Sequence, residues 1–266
     1  MNFKTLFSLN IRFINFGGHL KYIKYAIFNR NLFSVVKQNS ALYKKKTCDT
    51  CYICALGPSL KEVELSKIQG DTIVVNRFNK IGRENPTFVP TFYLIIDALF
   101  NTEENKKDFI DALEQYHPKD TIYLLHSKLS KMVKDLLPPE RVYFLSCFKG
   151  LFSSEKEFAI DKVMPAFGNV ACTAIACALA LGYKKIVLLG CDFNSFASTT
   201  RSHCYNEKTS ERLHKMSYEL YCYSLVADMH DQLQRYAKKH NVVIINSSKG
   251  SLIDAYPYQI DEKLYK

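Results

Sequence analysis

Long uninterrupted apolar runs are missing from this chain of 266 residues. No stretch reaches the roughly 18 uncharged apolar residues that a membrane-spanning helix needs, so no spanning helix is expected. Residues 1–10 lack a sustained apolar core and a small-residue cleavage site, so no signal peptide is expected either. The nine cysteines are odd in number and scattered. They do not form a disulfide framework, and the reading is a cytoplasmic protein with reduced thiols. Three short motifs are also absent. Without G-x-x-x-x-G-K-[ST] there is no Walker site, and without G-x-G-x-x-G there is no dinucleotide fingerprint. No Asp-x-Asp pair offers itself to a metal, and no metal or other cofactor is expected. Internal repeats and low-complexity tracts are lacking as well. Acids are scarce at the N-terminal end, where Asp49 is the only one in the first fifty residues.

What is present begins with a hydrophobic content of 47%, which argues against disorder across the bulk of the chain. The length suffices for one large α/β domain with a real core. A net charge of +10 points to an anionic partner: nucleic acid, anionic lipid or a nucleotide-linked substrate. The basic excess is concentrated in residues 1–47. There Phe3, Leu6, Phe7, Ile11, Phe13, Ile14 and Phe16 precede Gly17-Gly18. Leu20, Ile23, Ile27 and Phe28 follow at helical spacing, with Lys21, Lys24 and Arg30 interleaved. This pattern predicts an interfacial helix, placing the protein peripherally on an anionic cytoplasmic membrane face through residues 1–46. The bland alternative is an accessory helical pair packed on the main domain. Aromatic and basic residues interleave only here, and nucleic acid is not expected as a partner.

Residues 48–266 read as one catalytic domain. Strands are expected at Cys51–Ala55, Asp71–Asn76, Phe92–Ile96, Thr121–Leu125, Val142–Leu145, Ile186–Leu189 and Asn241–Asn246, with helices between them. This alternation predicts an α/β fold, doubly wound around a mainly parallel sheet, Rossmann-like and GT-A-like. Its centre is the run from Phe167 to Asp192. Asn169 is the expected N-cap of an apolar helix ending at Gly182. A fully buried strand follows and exits at Gly190-Cys191-Asp192. Cys48, Cys51 and Cys54 have a C-x-x-C-x-x-C spacing that suggests a metal. In a strand, however, positions three apart face opposite sides, and no second Cys/His pair complements them.

Polar residues recur at the strand exits: Gly57-Pro58-Ser59, Asn76, Asp97, Gly190 to Asp192, and Ser247 to Ser251. In a parallel sheet these lie along one edge, beside the Phe167-Gly168-Asn169 helix start, where nucleotides bind. The polar stretch from Asn194 to Asn206 has the length of a lid, and it holds Arg201, His203 and Tyr205. A long helix is expected from about Glu211 to Lys239, with His214 and His230 on its surface.

Gly57-Pro58-Ser59-Leu60-Lys61-Glu62, Asn76-Arg77-Phe78 and the run from Gly168 through Leu179-Ala180-Leu181-Gly182-Tyr183-Lys184-Lys185-Ile186 to Gly190-Cys191-Asp192-Phe193 carry a family resemblance. The chain resembles bacterial lipooligosaccharide sialyltransferases and the wider group of motility accessory factors and hydroxymethylpterin pyrophosphokinase-like domains. The resemblance spans about residues 51–253. It implies a cytidine nucleotide held by Ser59, Asn76 and the Gly190–Asp192 exit. Asp97 stands where that family has an amide that contacts the donor. The Gly168 helix start would face the donor's phosphate and sugar, and His203 is the nearest candidate for the general base. Chemically, a histidine suits proton transfer from an acceptor hydroxyl at neutral pH. Tyr205 and the Gly168-Asn169 amides are candidate donors to the leaving phosphate.

The expected activity is therefore metal-independent glycosyl transfer from a nucleotide sugar, with a CMP-sugar as co-substrate, to a glycan or glycolipid acceptor. Two rivals stand beside it. One is diphosphate transfer from ATP with magnesium on Asp97 and Asp192. The other is a non-catalytic scaffold in envelope glycan assembly. The sugar, the acceptor, the linkage and any homo-oligomer are left open by the sequence.

Overall fold

The computed structural model describes residues 16–24, 27, 35–97, 102–116, 119–133, 136–148, 157–198, 203–205 and 214–266. Seven strands form one parallel sheet: β1 (Thr50–Cys54), β2 (Asp71–Val75), β3 (Phe92–Ile95), β4 (Ile122–His126), β5 (Val142–Leu145), β8 (Lys185–Leu189) and β9 (Val243–Asn246). The short pair β6 (Cys147–Phe148) and β7 (Met164–Pro165) lies apart from it. The spatial order is β5-β4-β3-β2-β1-β8-β9. The chain thus runs outward from β1 to β5, returns to place β8 against β1, and continues to β9. The order reverses between β1 and β8, and that is the topological switch point of the sheet.

Burial on both faces explains the near-continuous apolar strands. Alternate residues divide between two cores. Cys51, Ile53, Ile73, Val75, Phe92, Leu94, Ile186 and Leu188 face one. Tyr52, Cys54, Val74, Tyr93, Ile95, Val187 and Leu189 face the other. Cys51 and Cys54 therefore point to opposite sides of the sheet, as the strand spacing requires. Among the described residues no group of three or more His, Cys, Asp or Glu is arranged to hold a metal ion.

The three longest described helices cover the sheet. The helix α1 (Glu103–Tyr116) packs Phe109, Ala112, Leu113 and Tyr116 onto the second core. The helix α2 (Val170–Ala180) lies in the first core and is buried from Ala171 through Leu179. Small side chains let it lie deep against the sheet. Asn169 caps it, accepting from the Cys172 amide at 2.8 Å. The far end is closed by a Schellman motif: the Gly182 amide donates to the Leu179 carbonyl and the Tyr183 amide to the Ala178 carbonyl. Gly182 sits at φ +80°, where a side chain would be strained. The third helix, α3 (Met216–Lys239), packs against α2 and β9.

At the opposite edge of the sheet Asp71 is a buried anchor. It accepts from the Thr47 amide at 2.8 Å and from the Tyr183 hydroxyl at 2.6 Å. Residues 38–44 also belong to the body: Leu42 is fully buried, and the Asn39 side chain donates to the Phe144 and Ile160 carbonyls. Arg201, Asn206 and the expected helix start at Glu211 lie outside the described residues, as do Phe3 to Ile14.

Candidate functional site

The carboxyl ends of β1 and β8 touch. The Ala55 amide donates to the Leu189 carbonyl and the Gly57 amide to the Gly190 carbonyl, each at 2.8 Å. Two glycines make this approach possible. A Cβ at Gly57 would lie 2.5 Å from Asp192 Cγ and 2.6 Å from the Gly190 carbonyl oxygen. The sequence suggests a strained turn at Gly57. Its backbone is instead extended, at φ −66°, so space rather than a special dihedral demands glycine. Gly190 has both requirements, with φ +66° and a would-be Cβ 2.9 Å from the Ala55 carbonyl oxygen.

Above this contact lies a cleft of about 410 Å³, within the ordinary size range of small-molecule sites. Its walls come from the β1 exit (Gly57, Pro58), the β2 exit (Asn76), the β8 exit (Gly190 to Ser195), the α2 start (Asn169 to Ala171) and the first turns of α3. Asn76 at φ 44° and Phe193 at φ 53° are two of the three described non-glycine residues with positive φ, and both line the cleft. Such strain persists only where surrounding structure over-determines it, and it concentrates at functional sites. At Asn76 the side-chain oxygen accepts from the Ile96 amide at 3.4 Å, and the carbonyl accepts from Tyr93.

Of the expected site residues, Gly57, Pro58, Asn76, Asn169, Gly190, Asp192, Asn194 and His203 converge on this cleft. The others do not line it. Ser59 was expected to offer its amide and hydroxyl to a ligand. Both donate instead to the Asp192 carboxylate, the amide at 2.9 Å. The pair pins the β1 exit to the β8 exit. Burial raises the Asp192 pKa, and the two Ser59 hydrogen bonds pull it back down. The Gly168 amide faces Met229 Sδ at 3.1 Å, and the helix-start residues that line the cleft are Asn169, Val170 and Ala171. Phe167 packs against the first core. Ser247 accepts from the Asp261 amide, and Ser251 donates to the Cys191 carbonyl at 2.7 Å. The Ser251 hydroxyl fastens the segment after β9 onto the β8 exit, whereas that of Ser247 ties this segment to the C-terminal stretch at Asp261. Asp97 follows β3 but is not among the cleft's described lining.

His203 enters the cleft from a segment held by its neighbour, whose amide (Cys204) donates to the Leu56 carbonyl at 2.9 Å. Tyr205 stacks on the His203 ring, with centroids 5.1 Å apart and planes at 14°. Tyr205 itself faces away: it is buried in the second core, with Lys80 Nζ 4.9 Å from its ring centroid. It therefore backs the histidine and does not line the cleft.

Sequence reasoning missed the wall built by α3. The helix starts at Met216, so Tyr218, Glu219, Cys222 and Tyr223 fall in its first turns and line the cleft. Their spacing, two i,i+4 pairs on one face, is the signal that marks them. Tyr223 meets Phe193 at 4.6 Å and Phe196 at 4.9 Å between centroids, and its hydroxyl bonds Ser195. His214 is exposed, as expected, but it precedes the helix instead of lying on it; it lines the cleft and packs edge-on against Tyr218. His230, expected on the surface too, is buried. Its Nδ1 lies 3.0 Å from the Tyr256 hydroxyl and its Nε2 3.4 Å from Cys172 Sγ. Burial pushes its pKa down to about 4. Burial also raises Cys172, Cys191 and Cys204 well above the ordinary thiol range, Cys204 to about 12, so none of them is a ready nucleophile.

A magnesium ion needs carboxylate or other oxygen ligands. The cleft's described carboxylates are Asp192 and Glu219, and both oxygens of Asp192 are engaged by Ser59. The described residues therefore do not make a resident magnesium site.

The sequence profile of the MptE-like family, described as 6-hydroxymethylpterin diphosphokinase MptE-like, matches residues 27–196, well over half of the chain. No curated protein matches the sequence. Among solved structures, the chain is similar to the sialyltransferase CstII from Campylobacter jejuni in complex with the substrate analogue CMP-3FNeuAc. The identity is 15%, the coverage 82% of this chain and 89% of that one, and the TM-score 0.48. A second structure, CST-II with a trisaccharide acceptor and CMP, shares 18% identity over 82% of this chain and 88% of that one, with a TM-score of 0.47. The α-2,3-sialyltransferase Cst-I from Campylobacter jejuni shares 13% identity over 80% of each chain, with a TM-score of 0.43. The chain belongs to the MptE-like family. The family match ends before His203, whose placement rests on the cleft geometry alone.

Proposed function

For this member of the MptE-like family we propose a nucleotide-dependent transferase that moves a glycosyl group from a CMP-sugar to a hydroxyl of a glycan or glycolipid acceptor. One observation carries the reading: the switch-point cleft brings His203 together with the α2 start and the Asn76 and Asp192 exits. The CMP assignment rests on the sequence motifs at those exits.

In this reading neutral His203 accepts the proton of the acceptor hydroxyl as the acceptor oxygen bonds to the anomeric carbon. The bond from that carbon to the donor's phosphate oxygen breaks, and the nucleotide leaves with the electron pair. The Val170 and Ala171 amides, unpaired within the first helical turn, meet the growing phosphate charge. Phe193 and Tyr223 offer an apolar wall to the sugar or base, and Tyr205 holds the histidine ring in plane. No protein-bound metal is used.

Diphosphate transfer from ATP is the second reading, favoured by the family's description. CMP release from a panel of CMP-sugars, measured in EDTA with wild type and His203→Gln, separates the two. We expect metal-independent release that falls by about 10²-fold or more in the variant. Release that needs magnesium and ATP, or that survives intact in the variant, contradicts the glycosyltransferase reading.

A further inference from the structure

We propose that the helix at residues 16–24, together with exposed Ile27, docks the protein on an anionic lipid surface. The helix is amphipathic in the inverted sense. Gly18 is buried against the body, and Tyr22 packs edge-on against Phe148 at 5.6 Å. The large apolar residues face outward: Phe16 is 63% exposed, Leu20 54%, Ile23 52% and Ile27 61%. At about 100° per residue Phe16, Leu20 and Ile23 fall within an arc of roughly 60°, opposite Gly18 and Tyr22. A helix that served only to cover the domain would turn these side chains inward.

Charge identifies the occupant. Lys24 flanks the apolar ridge and Lys21 lies beyond it on the same side, both exposed. No acid occurs in the chain before Asp49. A ridge of Phe, Leu and Ile edged by lysines fits the boundary between acyl chains and anionic headgroups, with each lysine near the surface adding attraction. Among the described residues no helix is long and apolar enough to span a bilayer. This inference does not depend on the transferase reading, and its test uses no activity.

The full chain would be sedimented with phosphatidylcholine vesicles, with and without phosphatidylglycerol. Three forms would be compared: wild type, Leu20→Glu/Ile23→Glu and Lys21→Glu/Lys24→Glu. All four positions are exposed, so melting temperatures should stay within a few degrees of wild type, which separates lost docking from lost folding. We expect binding to the anionic vesicles that weakens in high salt, and a partition coefficient at least about 10-fold lower in either variant. Equal partition of wild type and the Leu20→Glu/Ile23→Glu variant, or no binding to anionic vesicles, overturns the proposal. So does a wild-type dimer in gel filtration that the same variant dissociates, because the ridge would then cover a second copy.

Discussion

At the scale of single residues, the cleft depends on what fits between two strand exits. A methyl group at position 57 would meet the Asp192 carboxyl carbon at 2.5 Å and a backbone oxygen at 2.6 Å. Backbone cannot rotate aside, so Gly57→Ala should cost about 1–3 kcal/mol and disturb the switch point. Urea denaturation would show it; an unchanged midpoint would mean the two exits are not in contact. The sequence marks position 57 correctly and misjudges why glycine stands there. A dihedral requirement and a clash with a residue 135 positions further along look identical in one dimension. Ser59 and Asp192 were hidden in the same way. Each has ligand-binding chemistry, yet each is the other's partner, a pairing visible only once β1 and β8 are adjacent. Ser59→Ala should therefore act on stability, by about 1–3 kcal/mol, because it leaves a buried carboxylate short of a donor. A thermal melt that is unchanged while nucleotide affinity collapses would instead make Ser59 a ligand contact.

At the scale of elements, α2 was readable almost end to end. Asn169 before an alanine-rich run and Gly182 after it are local signals, and local signals survive in sequence. Asn169→Ala removes the acceptor of the Cys172 amide and should cost about 1 kcal/mol. Asp at the same position should restore most of it, as a chemical melt of the three proteins would reveal. The start of α3 was less readable. The stretch before Met216 is polar, with no marked N-cap: Lys215 supplies no side-chain cap. The helix begins five residues later than the sequence suggests, which puts Tyr218 and Tyr223 in its first turns, where they form the cleft wall. The histidines show a related limit. His214 and His230 share one predicted helix, but burial of the second depends on Tyr256 from the C-terminal segment and Cys172 from α2.

At the scale of the molecule, the parallel alternation of strands and helices was enough to predict that the exits share one edge. The strand order that puts β8 beside β1 then selects the place on that edge. Burial of His230 also couples the whole fold to pH. Its folded-state pKa is lowered to about 4 from the model-peptide 6.5. A group depressed in this way favours the folded state above 6.5, and that contribution is lost as pH falls toward 4. Burial lowers the pKa of His126 as well, in the same sense. Asp192, raised by burial, acts in the opposite sense, since the folded state takes up its proton more readily. We expect the melting temperature to fall between pH 6.5 and 4, with a shallower fall in His230→Gln. Parallel curves for the two proteins would show that His230 is not the group responsible.

The central claim is that the switch-point cleft binds a cytidine nucleotide without a protein-bound metal. Ligand binding raises apparent stability by mass action. The most direct test is a thermal-shift panel of CMP, CDP, UDP, GDP and ATP on the full chain, each with EDTA and with magnesium. The account predicts stabilisation by CMP in EDTA, unchanged when magnesium is added. Stabilisation by ATP alone and only with magnesium would contradict it and move the protein to diphosphate transfer; no response to any nucleotide would contradict both readings.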